Sequence, residues 1–173
     1  MSIELSSTQN TYGLLNSGNP YSACWRFFEP RGVHIDQLGE YTLKQLVEKM
    51  YVQKPLDMFS MSAGKLTGLK QFGPRQAMNI CKGIERAKNV RLGPLLFACG
   101  IYGVEEEEAW LLAEKFKSLE ALYDASVDSL LSHGFLNESV AVNVYNFFRH
   151  PANVLALTEL QEKAGLEISN VEI

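Results

Sequence analysis

Apolar residues recur at helical spacing through most of the chain. Leu43, Leu46, Val47 and Met50 stand at i, i+3, i+4 and i+7, one face of a helix. Ala77, Ile80, Cys81 and Ile84 repeat that spacing. Trp110, Leu111, Ala113 and Phe116 approach it, and Val140, Val144, Phe147 and Phe148 form a further stripe. No long alternation of apolar and polar residues between turn signals predicts a sheet. The pattern therefore predicts an all-α fold built from short helices. Residues 1–23 carry no such stripe; Ser, Thr, Asn and Gly are scattered through them, which predicts an irregular arm ahead of a helical region that starts at Cys24.

Turn signals interrupt the helical pattern at regular intervals. Gln37-Leu38-Gly39, Gln71-Phe72-Gly73, Gly103-Val104-Glu105 and Gly134-Phe135-Leu136 each place an apolar residue between turn-prone neighbours, ahead of a helix. Their starts are 34, 32 and 31 residues apart, a weak internal repeat. Leu56-Asp57-Met58-Phe59 and Leu119-Glu120-Ala121-Leu122 each begin 15 residues before the second and fourth copies. Ser62-Ala63-Gly64-Lys65-Leu66 leads a short helix into the second copy, and Pro74 suits the first turn of the helix that follows it. Pro151 marks the end of one helix, and Gly165 stops the last one, leaving residues 167–173 as a tail. Helix, short hairpin and second helix recur four times: tandem helix–hairpin–helix motifs in two pairs, residues 24–92 and 93–173.

That unit has a direct chemical use. A helix start leaves backbone N–H groups without partners and carries partial positive charge. A glycine in the hairpin accepts unusual backbone angles and lets a phosphate approach the chain. The result is a phosphate cradle that reads nucleic-acid backbone and not base sequence. The second copy fits best, with Gly73 in the hairpin, Phe72 beside it, Arg75 just inside the helix, and Lys70 and Lys82 nearby. The first follows, with Gly39 and then Lys44. A tight turn without a ligand is the alternative at both glycines. In the third copy Gly103 is followed by Glu105 to Glu108, which suit the helix dipole but repel phosphate. In the fourth, Leu136 stands where a glycine would help. Gly103 and Gly134 are thus expected to mark weakened or lost hairpins, structural or facing a protein.

Charge sharpens the contrast between the pairs. The net charge of −4 by itself argues against nucleic acid. Residues 24–95, however, carry twelve Lys/Arg against six Asp/Glu, whereas residues 96–173 carry four against thirteen. A basic half joined to an acidic half predicts one surface for a polyanion. Two solvated faces that attract each other are the plain alternative.

Other chemistry finds less support. Cys24, Cys81 and Cys99 are far apart and form no Cys-x-x-Cys pair, so neither a zinc site nor a disulfide framework is expected, and no cofactor is implied. His34, His133 and His150 pair with no cysteine or serine in a nucleophile motif. Lys70 and Lys82 lack a following aspartate at the spacing of a lysine-dependent glycosylase. Trp25, Phe27 and Phe28, beside Arg26 and Arg31, are read either as a base-stacking cluster or as a hydrophobic anchor for the arm. No window approaches 18 consecutive apolar residues and the first residues lack a signal-peptide pattern, so a cytoplasmic protein with no membrane partner is expected.

Several segments together resemble the helix–hairpin–helix domain of bacterial NAD-dependent DNA ligases. They are the run from Leu95 to Val104, then Leu111 to Phe116, then Ser118 to Leu122. Phe72-Gly73 with Ala77 and Asn79, Arg31-Gly32 leading to Gly39, and Phe147-Phe148 with Pro151 and Asn153 add to it, over about residues 24–167. The resemblance implies a helical domain that grips duplex DNA along the minor groove through its hairpins, in DNA replication or repair. Matching hairpin glycines are Gly39, Gly73, Gly103 and Gly134; the others are replaced by Gln37, Gln71, Glu105 and Leu136. The family's nucleotidyltransferase domain, its Lys-x-Asp-Gly adenylation motif and its oligonucleotide-binding barrel have no counterpart here. Its four-cysteine zinc module is reduced at most to Asn19-Pro20-Tyr21-Ser22.

The sequence thus predicts a module without catalytic activity of its own that binds double-stranded DNA irrespective of sequence through the basic half. The alternative is a protein-interaction module that keeps the fold, has lost DNA binding and uses the acidic half as its contact surface.

Overall fold

The computed structural model of the chain describes residues 19–169. Along it run α1 (Pro20–Phe28), α2 (Glu40–Glu48), α3 (Pro55–Phe59), α4 (Ala63–Thr67), α5 (Pro74–Ala87) and β1 (Asn89–Arg91). There follow α6 (Leu92–Ala98), α7 (Glu106–Phe116), α8 (Leu119–Asp124), α9 (Val127–Leu131), α10 (Glu138–Arg149), α11 (Pro151–Glu162) and β2 (Glu167–Ser169). The all-α expectation holds, and the short helices have local causes. Asn19, Ser62, Ser118, Ser126 and Asn137 cap α1, α4, α8, α9 and α10 by accepting a first-turn N–H through their side chains. Proline opens α1, α3, α5 and α11, where its missing N–H costs nothing.

The order of elements repeats. Helices α1 to α5 are followed by α6 to α10 in the same sequence of long and short pieces. The N-caps of α3, α4 and α5 are Lys54, Ser62 and Gly73; those of α8, α9 and α10 are Ser118, Ser126 and Asn137, each 64 residues on. Left-handed residues end α2 and α7 at corresponding places, Met50 at φ 63° and Lys117 at φ 68°. Each half is therefore two helix–hairpin–helix units, joined by the turn between α2 and α3 or between α7 and α8.

Apolar faces from both halves meet in one continuous core. Phe27, Phe28, Leu43, Leu46, Met58 and Leu66 from the first half join Leu95, Phe97, Leu112, Leu130, Val144 and Phe147 from the second. Helix α1 packs on α6, and α11 closes back on α3. Across the α1–α6 contact, Arg26 Nε donates to the Phe97 carbonyl at 2.9 Å and Nη2 to the Val104 carbonyl at 2.9 Å. Its Nη1 meets Glu105 at 3.3 Å, and the guanidinium lies 3.8 Å from the centre of the Phe97 ring. The other seam is a parallel strand pair, in which Asn89, Val90 and Arg91 register with Glu167, Ile168 and Ser169.

Several boundaries differ from those read in the sequence. Met50 is left-handed and 72% exposed, because α2 stops at Glu48; its place in the apolar stripe is an accident of spacing. Residues 20–23 of the expected arm belong to α1, and 1–18 lie outside the described residues. Asn19-Pro20-Tyr21-Ser22 is a helix start, in which the Asn19 side chain accepts from the Ser22 N–H at 3.2 Å. Of the expected tail, residues 167–169 form β2, because the backbone of β1 offers them a partner; 170–173 lie outside the described residues.

Candidate nucleic-acid interface

Within each half the helix after the second hairpin reaches back to the first hairpin, and the same kind of contact holds the two. Asn79, on α5, donates its side-chain amide to Gln37 Oε1 in the first hairpin at 3.4 Å. Asn143, 64 positions later on α10, donates to the Tyr102 carbonyl beside the third hairpin at 3.0 Å. Two glycines mark close approaches along the same seams. A Cβ on Gly83 would stand 3.1 Å from the Asp36 backbone, and one on Gly103 would stand 2.5 Å from Val140 Cγ2. Sequence reasoning missed both asparagines. Their equal distance from the two helix N-caps is the signal that could have found them.

The glycines do different work from that expected. Gly39 and Gly73 have ordinary extended backbones, φ −87° and φ −89°, and serve as the N-caps of α2 and α5. The left-handed residues of these hairpins are Gln37 at φ 66° and Gln71 at φ 61°. In the other half the pattern reverses: Gly103 and Gly134 are left-handed, at φ 88° and φ 80°, and the N-caps are Glu105 and Asn137. The fourth hairpin also corrects the alignment. Counted from the N-caps, Asn137 stands where Gly73 does, and Leu136 where Phe72 does. Leu136 and Leu38 are buried and Phe72 packs half-buried against the core, so Phe72 anchors its hairpin.

This swap separates open helix starts from closed ones. Neither Gly39 nor Gly73 carries a side chain that could cap, and a Cβ at either would meet nothing within 4 Å. No N-cap side chain takes the first-turn N–H groups of α2 and α5, where an anion gains from both the donors and the helix dipole; Gln76 Oε1 accepts from the Gly73 N–H at 3.2 Å, and Glu40 stands in the first turn of α2. At α10 the Asn137 side chain accepts from the Val140 N–H at 2.9 Å. At α7 the Glu108 carboxylate accepts from the Glu105 N–H at 3.0 Å, with Glu106 and Glu107 exposed beside it. The α10 start thus holds an oxygen ligand from its own N-cap and the α7 start three first-turn carboxylates, against one, Glu40, at α2 and none at α5.

Basic side chains follow the same division. Among the described residues of the first half, Lys44, Lys49, Lys65, Lys70, Arg75, Lys82 and Arg91 are exposed and make no ion pair; in the second half Lys117 and Arg149 are exposed without one. Arg75 and Lys82 lie on one face of α5 with Met78, which is 55% exposed. Lys44 and Lys70 come together, although they are far apart in sequence, at an open concavity of about 360 Å³. Other cations of the basic half are engaged internally: Arg26 with Glu105, Arg31 with Glu29, Lys54 with Glu159, Arg86 with Asp36 and Lys88 with Glu85.

The remaining candidates have structural places. Phe27 and Phe28 are buried with their rings edge-on at 4.8 Å, an anchor and not a stacking platform. His34 meets Asp36 at 3.3 Å, His133 packs against Phe116, and His150 caps α11 by accepting from the Ala152 N–H. Burial pushes the Cys24 thiol up to about 12 and, against the pull of Arg26, the Cys99 thiol up to about 12. No helix of the described residues is long and apolar enough to cross a membrane.

Residues 94–156, from within α6 into α11, match the family model described as helix-hairpin-helix motif, a kind of motif that generally binds nucleic acid. The match spans the third and fourth hairpins, and the first half repeats their order of elements without being part of it.

Proposed function

We propose that the protein is a non-catalytic, sequence-independent binder of double-stranded DNA, and that its first half makes the contact. The observation that carries this reading is the pair of glycine-capped helix starts at Gly39 and Gly73 in the basic half. Neither glycine has a side chain of its own to fill the first-turn N–H sites, Gln76 taking only the Gly73 N–H, and Lys44, Lys70, Arg75 and Lys82 of the same half are exposed and make no ion pair among the described residues. Phosphates on neighbouring positions of a strand would take the N–H groups of α2 and α5, and the four cations would add Coulomb attraction and counterion release. The second half, matched to the motif but closed at both helix starts, supports the first through the shared core. In this proposal the module is derived from, or acts like, the DNA-binding domain of NAD-dependent DNA ligases, in cytoplasmic DNA replication or repair.

The test is fluorescence anisotropy of a labelled duplex at several salt concentrations. Four engaged cations predict a slope of log K against log salt of about −3 to −4, the same for unrelated sequences. Absence of binding at low salt removes DNA as the ligand.

One observation favours a second reading. Tyr102 is 75% exposed and Val142 37% exposed beside the acidic start of α7. That face suits a basic protein partner with an apolar contact of its own, as a module that has lost DNA binding would use. Gly73→Asp combined with Arg75→Glu separates the two: it abolishes DNA binding under the first reading and leaves partner binding intact under the second.

A further inference from the structure

The concavity that brings Lys44 and Lys70 together is more than a charged patch. Its walls are Tyr41, Lys44, Gln45, Glu48 and Lys49 from one side of α2 and its C-cap, and Lys70 from the loop ahead of α5. None of the three lysines makes an ion pair among the described residues, so with Glu48 the lining carries a formal charge of +2. The Gln45 side chain is half-buried, and its Nε2 is enclosed without any hydrogen-bond partner. A buried amide donor left unused costs stability, and because Gln45 lines the concavity, rotation of its amide toward an acceptor held there would supply the missing bond. Tyr41 is 61% exposed at the edge, an aromatic face on which a base can stack.

We propose that this concavity holds a phosphomonoester, the 5′-phosphate at the end of a nucleic-acid strand. An internal phosphodiester carries one negative charge. A terminal phosphate carries close to two at neutral pH and three acceptor oxygens, which match a lining of +2 with an amide donor to spare. The inference rests on the reading of the protein as a nucleic-acid binder and adds a preference for strand ends that the helix starts at Gly39 and Gly73 do not supply.

The test compares two duplexes of one sequence whose recessed 5′ end carries either a phosphate or a hydroxyl. The native protein should bind the phosphorylated form about ten-fold more tightly, the effect of one charge-assisted hydrogen bond. Gln45→Leu and Lys49→Ala should each bring the ratio close to one while leaving affinity for the hydroxyl duplex unchanged. A ratio of one in the native protein overturns the proposal even if both duplexes bind. If neither duplex binds, the hairpin reading fails first, and thymidine 5′-monophosphate followed by amide NMR decides the site by itself. Shifts at the Gln45 side-chain amide with the monophosphate and not with thymidine sustain it; their absence ends it.

Discussion

Glycine illustrates at single positions how one residue type serves opposite ends. Gly103 and Gly134 are needed for their left-handed backbones, and Gly103 also for the closeness of Val140. Gly39 and Gly73 are needed for neither; what they supply is the absence of a cap. Aspartate fits both of their backbones and the open space around them, and it is a good N-cap. Gly39→Asp and Gly73→Asp should therefore leave thermal stability unchanged or raise it by a few tenths of a kcal/mol. The same variants should weaken duplex binding more than about ten-fold, since a carboxylate then occupies each phosphate position. Loss of binding together with loss of stability would contradict this division of roles. The buried thiols allow a second test. Cys24 and Cys99 titrate near 12 in the fold, against 9.0 for a thiol in solvent. The folded state thus holds protons that the unfolded chain releases, and stability is full below pH 9.0 and lost as pH climbs toward 12. Melting temperature measured from about pH 8 to about pH 11 should fall, and fall less steeply in Cys24→Ala/Cys99→Ala. Tyr123, also pushed up to about 12 by burial, sustains the remaining slope.

At the level of elements, a hairpin and the helix start after it behave as an exchangeable part. The second and fourth hairpins occupy the same place in their halves. One ends in Gly73-Pro74-Arg75 and the other in Asn137-Glu138-Ser139. Replacing Asn137→Gly, Glu138→Pro and Ser139→Arg converts the closed start of α10 into the open, basic form of α5. Proline is tolerated at that first helical position, and the lost cap costs only a few tenths of a kcal/mol. The triple variant should gain one phosphate contact, read as a salt slope steeper by about one. An unchanged slope would mean that the second half faces away from the duplex. The repeat of hairpins was legible in the sequence because turn chemistry is local: the left-handed Gly103 and Gly134 and the role of Pro74 follow from backbone preference, and Gly39 and Gly73 from the tolerance of a helix N-cap for glycine. Which residue of each hairpin is left-handed was not legible. Gln37 and Gln71 adopt a conformation that glutamine disfavours, and the packing of Leu38 and Phe72 directly after them, with the Asn79 bond to Gln37, holds them there.

For the whole molecule, the contact between the halves governs behaviour. Arg26 was counted with the basic surface on sequence grounds, yet it is 17% exposed and joins α1 to α6 and the third hairpin. Arg26→Ala removes the side-chain donors to the Val104 and Phe97 carbonyls, the latter keeping only the Gly100 N–H, and should cost about 2–3 kcal/mol. Melting temperature should drop by roughly 4 to 10 °C. Because both halves share one core, calorimetry should still show a single transition; two separate transitions would mean that the halves are independent folding units. DNA affinity of the folded variant should be unchanged, since Arg26 is far from free to meet a phosphate.

By itself the sequence determined the helices, their caps, the four hairpins and the division into a basic and an acidic half. Each depends on residues within one or two turns of one another, where intrinsic preference dominates. Long-range packing sets which cations remain free, which helix meets which hairpin and where Lys44 and Lys70 meet. Those outcomes depend on pairs such as Arg26 and Phe97, or Asn79 and Gln37, separated by 71 and 42 residues. No local spacing encodes such a pair; the burial of a common core brings it together.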